Sequence, residues 1–120
     1  MALRLFLVRH GLSSYNLERR IQGRNDLSTL TPDGIEQAKQ TGLVLADVAI
    51  NAVYSSPLQR AADTTHNLLA QRSDDLSPIF DNGLLEVELG SWSGMTVDEV
   101  KTKFPEIYRT WQYQPEELVL

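Results

Sequence analysis

Apolar residues run almost unbroken from Leu3 to Val8, with Arg4 the one interruption, and then give way to Arg9-His10-Gly11. A short run that is apolar on both faces predicts a strand buried within a sheet. Ser13 to Ile21 predicts a short helix, with Gly23 placed after its end. Arg24 to Leu30 is polar and predicts a loop. Thr31-Pro32-Asp33 is a helix start: a threonine cap, a proline in the first turn, then an acid. Ile35, Ala38, Gly42 and Leu45 follow at helical spacing and carry that helix to about Ala46. Ile50 to Tyr54 predicts a second strand. Ser56-Pro57 opens another helix, whose apolar face holds Leu58, Ala61, Ala62, Thr65, Leu68 and Leu69. Pro78 to Phe80 predicts a short third strand. Thr96 and Glu99 form a capping box, with Val97, Val100 and Phe104 as the stripe beyond it. Pro105 starts a last helix with Ile107 and Trp111 on one side.

Alternating strands and helices predict an α/β domain with a parallel sheet. Ligands of such sheets bind beyond the carboxyl ends of the strands. Arg9-His10-Gly11 follows the first predicted strand, and Tyr54-Ser55-Ser56-Pro57 follows the second. The two turns are therefore expected to face one pocket.

Composition narrows the function classes. A chain of 120 residues, 42% hydrophobic, supports one small domain with a modest core. A net charge of −5 argues against general nucleic-acid binding, which needs a basic face. It leaves room for a small anionic ligand held by a few placed arginines. No apolar run approaches the roughly 20 residues that span a bilayer. The N-terminus lacks the apolar stretch of a secretory signal, so a soluble cytoplasmic protein with no membrane partner is expected. Without cysteine, disulfides and thiolate metal sites are excluded, and two histidines make a poor metal site. No metal and no cofactor is expected.

The candidate chemistry lies in the two turns. Arg9 offers a planar fork that matches phosphate oxygens. Arg60 sits near the start of the helix that opens at Ser56, where the helix N-terminus favours an anion. His10 is a candidate nucleophile or acid/base. Gly11 lets the backbone approach a ligand closely. Asn16 lies where its amide could reach the same site. Cations for the oxygens and a nucleophile in line are what phosphoryl chemistry needs.

On these residues the chain resembles the histidine phosphatase, or phosphoglycerate mutase-like, superfamily. The opening motif is Arg9-His10-Gly11, then Ser13 and Asn16. A second motif is Leu30-Thr31-Pro32-Asp33-Gly34. A third is Ser55-Ser56-Pro57-Leu58-Gln59-Arg60-Ala61-Ala62-Asp63-Thr64. The acid motif is Leu84-Leu85-Glu86-Val87-Glu88-Leu89-Gly90-Ser91-Trp92-Ser93-Gly94. Within the family the chain is similar to cyanobacterial phosphatase-like members. The resemblance implies a three-layer α/β/α fold with a mostly parallel sheet. It implies His10 as the residue that becomes phosphorylated and Glu86 as the general acid. Arg9, Arg60 and Asn16 would bind the phosphoryl group, and Ser13, Gln22 and Gly23 would lie on the substrate side. Read from the residues alone, Ser13 is equally an N-cap and Gln22-Gly23 equally a helix end. Trp92 and Trp111 read as packing residues, and His66 as an ordinary helix residue.

The chain departs from the family pattern at Leu12 and at Ser93. It also lacks the later His-Gly whose imidazole completes the family's phosphate pocket, since His66 precedes no glycine. The expected domain, residues 1–120, is therefore the N-terminal part of the family's domain, incomplete on its C-terminal side. The expected activity is phosphomonoester hydrolysis of a small phosphorylated substrate. Mutase-type phosphoryl transfer is one alternative. A catalytically weak phosphate-binding half-domain, working by self-association or with a complementing chain, is the other.

Overall fold

The computed structural model describes residues 2–120. In chain order the regular elements are α1 (Ser14–Leu17), α2 (Pro32–Leu45), β1 (Val53–Ser55), α3 (Gln59–Leu69), β2 (Pro78–Phe80), α4 (Val97–Lys103) and α5 (Pro105–Tyr113). The fold is α/β, and its sheet is parallel. β1 pairs with β2 in the register Val53 to Pro78, Tyr54 to Ile79 and Ser55 to Phe80, with α3 as the crossover between them.

α2 keeps its predicted bounds because its ends are chemically marked. Thr31 Oγ1 accepts from the amide of Gly34 at 3.0 Å, Pro32 stands in the first turn, and Asp33 favours the positive end of the helix. Its buried face is Gly34, Ala38 and Gly42, and it packs on α3. The approach is close: a Cβ on Gly42 would overlap the carbonyl oxygen of Leu68. α3 starts three residues later than predicted, at Gln59, because its N-cap Leu58 has an extended backbone. Its buried face is Arg60, Thr64 and Leu68: Leu68 is buried as predicted, while Arg60 and Thr64 lie one position before the predicted Ala61 and Thr65.

The second packing centre is built around Trp92. Ile21, Leu89, Trp92 and Val100 are buried together, with Phe104, Ile107, Tyr108 and Trp111 packed against them. Trp111 meets Trp92 edge-on at 5.7 Å between ring centres, and meets Tyr108 edge-on at 5.6 Å. Of the predicted Thr96–Glu99 capping box the Thr96 half forms, its Oγ1 accepting from the amide of Glu99 at 3.1 Å.

Three predicted elements differ. The stretch Leu3–Val8 is not a paired strand. Among the described residues it makes no ladder, and Leu3, Leu5 and Leu7 are 92%, 74% and 87% exposed. An apolar run becomes a strand only where a neighbour supplies hydrogen bonds, and the ladder here consists of β1 and β2 alone. The helix predicted over Ser13–Ile21 is one turn long, ended by Arg19 at φ 55°. The second strand is shifted to Val53–Ser55, the three residues that face Pro78–Phe80.

Candidate active site

The loop that carries His10 is positioned by two glycines and a threonine. A Cβ on Gly11 would overlap the carbonyl oxygen of Gly34, and one on Gly34 would overlap that of Leu12. The loop therefore crosses the first turn of α2 in backbone contact. Gly11 makes its close backbone approach to Gly34. The Gly11 amide donates to Thr64 Oγ1 at 3.0 Å, and Thr64 Oγ1 donates to the carbonyl of Arg60 at 2.7 Å. His10 and Arg60 are thus held by the same residue of α3. Thr64 and Gly34 were not among the predicted site residues. Their signal was available in the spacing: Thr64 stands four residues after Arg60, one turn along the same buried face.

His10 is half-buried, and its Nδ1 lies 2.7 Å from the carbonyl oxygen of Gly11. A carbonyl accepts only, so Nδ1 carries the proton and Nε2 keeps its lone pair. Burial pulls the imidazole below its ordinary pKa of 6.5; the Gly11 carbonyl raises it, Arg60 and Arg9 lower it, and Glu86 raises it. His10 is therefore a neutral imidazole at neutral pH with a free nitrogen, beside two cations and one carboxylate.

Arg60 is 3% exposed. One of its terminal nitrogens, Nη2, donates to the carbonyl of Gly23 at 2.8 Å, and Nη1 donates to that of Asn25 at 3.3 Å. Burial lowers its pKa, while Glu86 and Asp26 act in the opposite sense. Among the described residues no carboxylate lies within ion-pair distance of it; the ion pairs are Arg20–Glu18 and Arg72–Asp74. Among the described residues, the remaining N–H groups of its fork have no hydrogen-bond partner. The N-terminus of α3, expected to bind an anion, already has one: Asp26 Oδ1 accepts from the amide of Gln59 at 2.7 Å.

Ser13, Asn16 and Gln22 form one network. Asn16 Oδ1 accepts from the amide and the hydroxyl of Ser13, at 3.0 and 2.8 Å. The Ser13 hydroxyl accepts from the backbone amide of Asn16 at 3.2 Å and lies in donating reach of Gln22 Oε1 at 2.8 Å. A hydroxyl has one proton, so Asn16 Oδ1 and Gln22 Oε1 share Ser13 as their donor. Ser13 is fully buried and caps α1. It positions Asn16 and Gln22 through their side-chain oxygens, and their NH₂ groups are left for other partners. Gly23, at φ 50°, turns the chain so that its carbonyl meets Arg60.

Glu86 is exposed, with Oε1 accepting from the amide of Val87 at 2.8 Å. Arg24, absent from the predicted set, holds this segment by donating from Nε to the Glu86 carbonyl at 2.7 Å. Arg9 is exposed at the mouth of the loop. Gln22, Gly23 and Glu86 share one open cleft of about 450 Å³. His66 lies on the exposed side of α3, edge-on to Phe80 at 5.8 Å, away from these residues. No cluster of metal-ligating side chains is present among the described residues.

The chain is similar to known phosphatases over nearly its whole length. It is 40% identical to 2-carboxy-D-arabinitol-1-phosphatase of Triticum aestivum, over 95% of this chain and 23% of that protein. It is 37% identical to phosphoserine phosphatase 1 of Hydrogenobacter thermophilus, over 94% of this chain and 52% of that protein. Its fold superposes on that of YhfR from Bacillus stearothermophilus with a TM-score of 0.87 at 32% identity, covering 93% of this chain and 54% of that one. The chain thus spans from 23% to 54% of the length of these relatives. Residues 5–119 match the histidine phosphatase superfamily (branch 1), a match that takes in the His10 loop, Arg60 and Glu86 together, and the chain belongs to that superfamily.

Proposed function

We propose that the chain carries the nucleophile side of a phosphomonoester hydrolase site that works through a phosphohistidine on His10. The observation that carries this reading is Arg60: a buried guanidinium without a carboxylate partner, next to a neutral imidazole whose Nδ1 is committed to Gly11. Burying an unpaired charge is costly, and a phosphoryl group would offset that cost. In the first step the Nε2 lone pair attacks phosphorus and the ester P–O bond breaks. The leaving oxygen takes the proton of the Glu86 carboxyl group. In the second, the Glu86 carboxylate takes a proton from water, the hydroxide attacks phosphorus, and the P–N bond breaks. Inorganic phosphate leaves, and both residues return to their starting states. Arg60, Arg9 and Asn16 stabilise the charge on the transferring oxygens. Small phosphorylated compounds are the substrate class.

The test is turnover of p-nitrophenyl phosphate by the chain and by His10→Ala, with acid and alkali stability of any trapped label. A label that survives alkali and is lost in acid fits a P–N bond. Turnover that persists in His10→Ala overturns the reading.

One observation favours a second reading, a phosphate-binding half-domain that acts by association. Leu3, Leu5 and Leu7 are exposed in a segment without a ladder. A chain that binds phosphate, turns nothing over and has a native mass above one copy would support it. A clean monomer at high concentration counts against self-association.

A further inference from the structure

Glu86 stands in a stretch with few ties to the rest of the chain. The Leu85 amide closes the turn that begins at Asn82, and the Leu89 carbonyl opens the turn that holds Trp92. Between them, Glu86 Oε1 accepts from the amide of Val87 and Glu88 Oε1 from that of Gly90, both local bonds. Among the described residues, one hydrogen bond joins residues 85–88 to a distant segment: Arg24 Nε donates to the Glu86 carbonyl at 2.7 Å, across 62 residues of chain. Arg24 sits between the two carbonyls that hold Arg60. Gly23 accepts from Nη2 at 2.8 Å and Asn25 from Nη1 at 3.3 Å. Gln22 meets Ser13 of the His10 loop, and Asp26 accepts from the amide of Gln59. Residues 22–26 therefore touch the His10 loop, Arg60 and the Glu86 segment together.

We propose that Arg24 is a positioning residue for Glu86: its Nε bond sets how far the Glu86 carboxyl group stands from the phosphoryl site at Arg60. The proposal rests on the phosphatase reading above. In the first step of that reading Glu86 enters protonated and gives its proton to the leaving oxygen. A reacting group displaced by about 1 Å can lose on the order of a hundredfold in rate. The bond needs a donor at Nε rather than a charge. A glutamine carries an N–H donor the same number of bonds from the backbone as arginine Nε, so Arg24→Gln keeps the bond without the cation. Arg24→Met keeps the length and removes the donor. Arg24 is exposed, so both replacements leave the packing intact.

The experiment compares kcat/KM for phenyl phosphate and p-nitrophenyl phosphate on the wild-type chain, Arg24→Met, Arg24→Gln and His10→Ala. The two esters share a shape, but phenolate leaves poorly without a proton and p-nitrophenolate leaves readily. kcat/KM covers the steps up to departure of the leaving group, so water attack on the phosphohistidine does not enter it. In Arg24→Met the ratio of the phenyl to the p-nitrophenyl value should fall at least about fivefold, and Arg24→Gln should return it to within about twofold of wild type. A purely structural role would lower both values together and keep the ratio. A wild-type ratio in Arg24→Met, or a ratio as low in Arg24→Gln, overturns the proposal. Turnover that is absent for both esters, or that persists in His10→Ala, overturns the phosphatase reading instead. The tether is then judged by the ¹³C resonance of the Glu86 backbone carbonyl. A shift in Arg24→Met that Arg24→Gln reverses upholds the bond, and no shift overturns it.

Discussion

The amide of Gly11 donates to Thr64 Oγ1 across 53 residues of chain, at 3.0 Å. This bond ties the loop of His10 to the helix of Arg60, and the rigidity of the site depends on it. Thr64→Val keeps the shape of the side chain and removes the acceptor. The buried Gly11 amide then lacks a partner, a cost of about 1–3 kcal/mol. Thermal unfolding should show that loss, with a fall in kcat on any turned-over ester. Thr64→Ser should recover most of both; a Thr64→Val chain as stable as wild type would remove Thr64 from its positioning role.

Gly34 and Gly42 each meet a neighbouring backbone where a Cβ would overlap it. Gly42→Ala should cost about 1–3 kcal/mol by forcing α2 from α3. Gly34→Ala should act instead on the His10 loop, through Leu12. Denaturant midpoints for the two variants, set beside their activity, should separate a packing loss from a loss at the site.

Asp26 occupies the N-terminus of α3 through the Gln59 amide. Asp26→Ala should destabilise by about 1 kcal/mol, and Asp26→Asn by less, because the amide oxygen still accepts. If phosphate were the anion at this helix end, Asp26→Ala would instead bind phosphate more tightly. Phosphate titrations followed by melting temperature distinguish the two.

On the proposed reading, phosphate binds at Arg60 and stabilises the fold. At a concentration about 100 times its dissociation constant, phosphate should add about 2.7 kcal/mol. Arg60→Ala should abolish the rise in melting temperature that phosphate produces. A rise equal to that of wild type would place the anion elsewhere.

Burial holds the His10 imidazole below its ordinary pKa of 6.5. The unfolded chain therefore binds a proton at this residue at a higher pH than the folded one. The contribution of His10 to stability is present above 6.5 and is lost as pH falls through the window below it. The acid limb of kcat/KM should likewise lie below 6.5, because protonation removes the Nε2 lone pair. A pH series of melting temperatures for wild type and His10→Asn should show a flatter acid side in the variant. An acid limb above 6.5 would contradict the environment described for His10.

Much of this protein was legible in local chemistry. The Thr31 cap with Pro32 placed α2 to within a residue, the Thr96 cap placed α4, and Pro78–Phe80 formed where an apolar triplet predicted a strand. Caps and prolines act within one turn of the chain, so sequence alone reports them. The motifs likewise determined the family. What only the tertiary structure decided depends on groups far apart in sequence. Leu3–Val8 has the composition of a strand but no ladder partner, because pairing needs a neighbour and not a propensity. Gly11 meets Gly34, Asp26 fills the helix end expected for an anion, and Ser13 is fully buried against Asn16. In each case the residue type was informative about what it could contact. Chain topology then chose the contact, because hydrogen bonds and close packing require proximity that no local pattern encodes.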